Sequence, residues 1–190
     1  EQYHSVGPLF ETPRKSTSID FIGTKAMPED IQGCALLGGY FGHVVQLHRL
    51  EDFGAGFKSS VLPDLMSSSN TAFRPVDVSV GPDGAMYLAD WYNPVIGHYQ
   101  ASYADPNRDK SHGRIWRITA TGYQTIKQPK LAEMSSIQRL EKLRSPERWT
   151  RYQAKRLLFD APTEDVLAAA DAWLSNLEST EERLLVELLG

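Results

Sequence analysis

Apolar and polar residues alternate most regularly at 76–80, where Asp77 and Ser79 separate Val76, Val78 and Val80. That is the period of a strand with one buried face. Gly81-Pro82-Asp83-Gly84 follows. Proline presets one turn angle, and Asp-Gly tolerates the positive φ that a tight hairpin needs. Residues 85–90 return as a second strand, with Met86 and Leu88 on one face and Tyr87 and Ala89 on the other. Residues 113–119, rich in Ile, Trp and Thr, make a third, so the three form an antiparallel meander.

An earlier stretch runs in a similar order. Residues 1–17 read as an extended polar lead-in, 18–23 as a short strand, and Pro28-Glu29-Asp30 as a turn. Residues 33–38 read as a buried strand whose glycines admit a neighbouring backbone. Tyr40-Phe41-Gly42 turns the chain, and 43–50 sets Val45 and Leu47 against Val44, Gln46 and His48. Residues 57–62 supply a fourth, outer strand, and 67–70 are loop. Tandem meanders of about four strands suggest a radial repeat, so residues 1–128 are predicted to be a partial β-propeller of about two antiparallel blades. That is too few blades to close. The expectation is a piece or remnant of a longer protein, inactive alone and with an exposed sheet edge.

After Thr119 the period becomes helical. A helix is predicted over 136–143, and a second opening at Ser145-Pro146 carries Trp149, Tyr152, Ala154, Leu157 and Leu158. A third has Thr163 as its N-cap and places Val166, Ala170, Trp173, Leu174 and Leu177 on one face. A capping box, Ser179-x-x-Glu182, opens the fourth. The fold class is therefore β then α, with 129–190 resembling the start of a HEAT-like array.

Composition narrows the function classes. A net charge of −4 over 190 residues gives no reason to expect nucleic acid or an anionic membrane surface as partner. No apolar run approaches the roughly 20 residues of a membrane span. The first ten residues lack the basic and apolar regions of a signal peptide. Cys34 is the single cysteine, which excludes an intrachain disulfide, a Cys-x-x-Cys-His haem site and a cysteine-rich zinc site within the chain.

The candidate chemistry lies in the connection 91–112, far longer than the usual two to six residues or so. It carries Tyr92, Asn93, His98, Asp105, Asn107, Asp109 and His112. Meander topology gathers this connection, 40–43 and 67–74 at one end of the sheets. Tyr40, Arg74, Asp90, Tyr92, Asn93, His98 and His112 are therefore expected around one site, with Tyr40 and Tyr92 as aromatic walls for a sugar or planar ring. The plainer alternative is that Asp90 and Asn93 cap turns while the aromatics pack sheet edges. Asp105-x-Asn107-x-Asp109 has the spacing that opens an oxygen-ligand Ca2+ loop, but Lys110 stands where that loop wants glycine and Trp116 where it wants glutamate. The alternative there is an Asp-Pro-Asn turn. His98 and His112 are candidates for a general base or a metal pair, and His43 for the same role. His112 could instead only pin the loop.

The run FRPVDVSVGPDGAMYLADW, with DWYNP, GH, DPNRD and HGRIWR after it, resembles the last propeller blade of a bacterial family of membrane-bound, sorbosone/glucose-type dehydrogenases of planctomycetes and relatives. The resemblance covers nearly the whole chain. It implies a six-bladed, quinoprotein-like propeller followed by HEAT-like repeats, often with a cytochrome c module whose haem would lie outside this chain. It further implies a sugar dehydrogenase using pyrroloquinoline quinone (PQQ) and Ca2+ in the full-length protein, a sugar or polysaccharide ligand, a cytochrome electron acceptor, and a periplasmic or cell-envelope location. Arg74 matches the arginines that neutralise the anionic quinone in such enzymes, a role suited to a guanidinium fork. Their catalytic histidine belongs to an earlier blade, and the bend where they can present lysine reads Tyr40-Phe41-Gly42. A non-catalytic propeller that binds carbohydrate or protein through the same loops is the competing expectation.

Overall fold

The computed structural model describes residues 8–10, 15–96, 105–177 and 182–189. His98 and the Ser179 cap lie outside the described residues. The chain forms two antiparallel sheets followed by four short helices. In the first sheet β1 (Ile19–Phe21), β2 (Ala35–Gly39), β3 (Val44–Phe53) and β4 (Gly56–Ser67) pair in sequence order. In the second, β5 (Pro75–Val80), β6 (Met86–Asp90) and β7 (Arg114–Ile118) do the same.

The faces that alternation marks as apolar meet between the sheets. Leu36, Val45 and Leu47 of the first sheet share one core with Val78, Val80, Met86 and Leu88 of the second. Phe73, Ile22, Met27 and Cys34 complete it. Gly38 permits the close approach. A Cβ there would lie 2.8 Å from both the Thr17 and Ser18 hydroxyls and 3.3 Å from the Pro75 carbonyl. Two side chains join the sheets along the free edge of β5. Thr17 Oγ1 donates to the Pro75 carbonyl at 2.9 Å, and Asp20 Oδ2 accepts from the Val80 N–H at 2.9 Å.

Several expectations are corrected. The second sheet holds the three strands expected of its meander, so the described residues complete one four-stranded unit and not two. The outer strand β4 runs through Ser67 instead of stopping at Leu62, because after a bulge it pairs on along the beginning of β3, Met66 opposite Val45 and Ser67 opposite Val44. Pro63 is tolerated there because β4 has a partner on one side only. Gln46 and His48 face away from the shared core yet are buried. The Phe10 ring packs edge-on against His48 at 5.3 Å, and Ser59 Oγ donates to the Leu9 carbonyl.

The helical segment comprises α1 (Ser136–Glu141), α2 (Arg148–Phe159), α3 (Thr163–Leu174) and α4 (Glu182–Leu189). Ser135, not an expected cap, forms a capping box with Gln138 over α1. α2 starts two residues later than the Ser145-Pro146 signal implies. The Ser145 and Pro146 carbonyls, which would accept the first intrahelical N–H groups, instead accept from Arg151 Nη1 at 2.8 and 3.1 Å. Thr163 is the first helical residue of α3, with Pro162 at the cap position. Leu140, Leu143, Ala154, Leu158, Trp173 and Leu184 form this segment's core. Tyr152 stays 55% exposed, which bears on a cleft described below.

The hairpin turn supplies a stability test. Gly84 has φ +76°, and a Cβ there would come within 2.7 Å of the Ala26 Cβ. Gly84→Ala is expected to cost roughly 1–3 kcal/mol, read as a lower urea midpoint at unchanged m-value. Gly122→Ala has similar φ, +85°, but no neighbour within 4 Å, and should cost less.

Candidate functional site

The turn between β2 and β3, the entry to β5 and the exit from β6 lie at one end of the two sheets, as the strand order dictates. Asp90 is the last residue of β6, and its side chain is fully buried. Its Oδ1 accepts the Arg74 N–H at 2.8 Å and the Tyr92 N–H at 2.9 Å. Its Oδ2 accepts from Arg114 Nε at 2.7 Å and Trp116 Nε1 at 3.1 Å. Burial alone would raise the carboxyl pKa. The hydrogen bonds from Arg74 N–H, Trp116, Tyr92 N–H and Arg114 outweigh it and hold the pKa below the ordinary value.

Arg74 is 6% exposed. Its guanidinium donates to the Asn93 carbonyl at 2.9 Å, the Tyr40 carbonyl at 3.1 Å and the Pro94 carbonyl at 3.4 Å. His43 Nδ1 lies 2.8 Å from the Phe73 carbonyl, and Arg74 Nη1 lies 3.1 Å from Nδ1 and 3.2 Å from Nε2 of the same ring. Burial pulls the guanidinium's pKa down from its ordinary value, while Tyr40 and Asp90 oppose that. The protein's own carbonyls occupy the cation that the sequence offers to an anionic cofactor.

Asn93 is likewise committed. It is 1% exposed, its Nδ2 donates to the Asp109 carbonyl at 3.1 Å, and its Oδ1 accepts the Val95 N–H at 3.1 Å. Asp105 Oδ1 accepts the Asn107 N–H at 2.9 Å, an Asx turn. Asp109 Oδ1 accepts the Ser111 and His112 N–H groups, each at 2.9 Å, and its Oδ2 sits 2.8 Å from His112 Nδ1. Those two backbone bonds, with the His112 ring, hold the Asp109 carboxyl at a pKa of about 2. Among the described residues no group of three or more His, Cys, Asp or Glu is placed to hold a metal. The Asp105-Asn107-Asp109 spacing thus spends two of its carboxylate oxygens on local turns.

Of the aromatic residues here Trp91 is exposed, while Tyr40 and Tyr92 are half-buried. Tyr40 and Trp91 lie nearly parallel, 16° apart with centroids 6.4 Å apart, and Trp91 is 39% exposed. Arg114 stacks 4.0 Å above the Tyr92 ring and lies 5.0 Å from Trp116. His112, its side chain 67% exposed, meets Tyr92 edge-on at 6.0 Å. A pocket of about 340 Å3 adjoins this end, between Tyr92, Pro94 and residues 106–111. The structure therefore brings Tyr40, Arg74, Asp90, Tyr92, Asn93, Asp109 and His112 to one end. Trp91, Arg114 and Trp116 belong with them, though sequence reasoning did not single them out. The fixed register of β7 against β6, Asp90 opposite Arg114 and Leu88 opposite Trp116, is the signal that could have found the last two.

Asp90→Asn removes the charge and one acceptor while keeping the shape. Because the folded pKa is depressed, this group's stabilisation is present above the unfolded value near 4 and lost as pH falls through the folded value. Asp90→Asn is expected to cost roughly 3 kcal/mol at pH 7, and markedly less at a pH below the folded value. Urea unfolding at both pH values reads the difference, and equal losses at both would refute the charge argument.

A family model described as a domain of unknown function (DUF7133) matches residues 14–122, more than half of the chain, and the chain belongs to that family. No curated protein and no solved structure matches it.

Proposed function

We propose that this member of the DUF7133 family is a carbohydrate-binding module, its sheets serving as propeller blades and its helices as the start of a HEAT-like array. The observation that carries the reading is a division of labour at one end of the sheets. Arg74, Asp90 and Asn93 spend their polar groups on the protein's own frame, whereas Trp91 is exposed beside the half-buried rings of Tyr40 and Tyr92. A braced frame holding flat aromatic surfaces beside exposed polar groups suits the C–H face of a pyranose and its hydroxyls, and binding gains from that preorganisation. The natural ligand class is a neutral sugar or polysaccharide, which the cell envelope would supply.

A second reading, a part of a PQQ- and Ca2+-dependent sugar dehydrogenase passing electrons to a cytochrome, is favoured by one feature. The Asp109 carboxylate fixes the exposed His112 ring through Nδ1 and leaves Nε2 as an acceptor, the arrangement of an oriented base.

The two readings part on one pair of experiments. Titration calorimetry against soluble oligosaccharides is expected to show binding that Trp91→Ala weakens about tenfold or more, with unfolding unchanged. Aldose oxidation with PQQ, Ca2+ and an artificial electron acceptor is expected to give no turnover. Turnover that His112→Ala abolishes would favour the dehydrogenase reading instead.

A further inference from the structure

A second concavity lies away from that end. A cleft of about 950 Å3 lies toward the other end of β5, walled by residues 77–82 on one side and by α2 on the other. Most of its charged groups are already matched. Arg148 pairs with Asp20, which closes one side of the cleft as a neutral unit. Arg151 Nε is 2.9 Å from Glu187 Oε1, and Lys155 Nζ is 3.1 Å from Glu187 Oε2. With Arg183 Nη2 3.9 Å from Glu187 Oε1, three cations share one carboxylate, and the helical wall keeps a surplus of positive charge. The sheet wall carries the opposite surplus. Asp77 is exposed on β5, and its carboxylate has no hydrogen bond or ion pair among the described residues. Between them, Trp149 and Tyr152, one helical turn apart on α2, line the cleft without a polar partner among the described residues.

Electrically, the cleft is balanced overall but polarised across its width. An anion alone would meet Asp77, and a cation alone would meet the Arg151–Lys155 wall. A neutral polyol would desolvate both unmatched charges without neutralising either. We propose that this cleft binds a zwitterion of the amino-acid class, a free amino acid or short peptide. Its ammonium is held at Asp77, its carboxylate at Lys155 and Arg151, and its apolar side chain against Trp149 and Tyr152. The site is independent of the aromatic end proposed to take carbohydrate.

The dipeptide Ala-Phe tests it by calorimetry at low salt, beside N-acetyl-Ala-Phe, Ala-Phe amide and cellobiose. Ala-Phe is expected to bind, and blocking either terminus to weaken binding about tenfold, the loss of one charge-assisted contact. Asp77→Asn is expected to weaken Ala-Phe by a similar factor while leaving N-acetyl-Ala-Phe unchanged. Tyr152→Ala should weaken all three peptide ligands together, and Trp91→Ala none of them. Absence of binding by Ala-Phe at millimolar concentration, equal affinity for the acetylated form, or tighter binding of cellobiose in this cleft would overturn the proposal.

Discussion

The Asp90 carboxylate sits with no solvent exposure at the point where β6 leaves its sheet, and it gathers donors from three separate stretches of chain. It ties the entry of β5 through the Arg74 N–H, the exit of β6 through the Tyr92 N–H, and β7 through Arg114 and Trp116. The Arg74 guanidinium then carries the same node across to the first sheet, through the Tyr40 carbonyl and the His43 ring. A buried charge left without such partners would cost several kcal/mol. Here each partner is also a structural joint, so satisfying the carboxylate and fixing the geometry are one event. The aromatic surface above depends on that node, because Tyr40, Trp91 and Tyr92 all stem from backbone that it fixes.

At the other end Asp20 plays a comparable part. Its carboxylate accepts the Phe21 N–H at 2.8 Å and the Val80 N–H at 2.9 Å, and it pairs with Arg148. One residue therefore joins β1, the open edge of β5 and the first turn of α2. The Arg148 N–H to the Gly23 carbonyl at 2.8 Å and the Lys25 N–H to Glu147 Oε1 at 3.0 Å add main-chain ties between sheets and helices. The cleft exists because these contacts seat α2 against the end of a strand whose outward N–H and C=O groups are only partly covered.

Much of the fold could be read from local signals. The Val76-Val78-Val80 alternation and the Gly81-Pro82-Asp83-Gly84 turn correspond to β5 and its hairpin, with Gly84 at φ +76°. The grouping of Tyr40, Arg74, Asp90, Tyr92, Asn93 and His112 was legible too, since strand order alone sends those loops to one end. What each residue does there was not. Nothing local shows that the Asn93, Pro94 and Tyr40 carbonyls turn inward on Arg74, because that follows from how two sheets meet. His43 at φ 59° and Tyr92 at φ 52° are left-handed without the glycine that would signal it. The cleft joins Asp77 to residues of α2 and α4 far along the chain, which no pattern in the intervening sequence encodes. The start of α2 differs for a related reason, as Arg151 takes the Ser145 and Pro146 carbonyls, which a helix-capping rule cannot see.

Amide hydrogen exchange tests most directly whether the Asp90 node governs this end of the molecule. The Arg74 and Tyr92 N–H groups lie at strand ends and in a loop, where exchange is ordinarily fast, yet both donate to a buried carboxylate. They are expected to exchange as slowly as the strand amides of β6, through global unfolding, and both to become fast together in Asp90→Asn. Rapid exchange of either amide in the unmodified protein, at the rate of an exposed loop, would contradict the account.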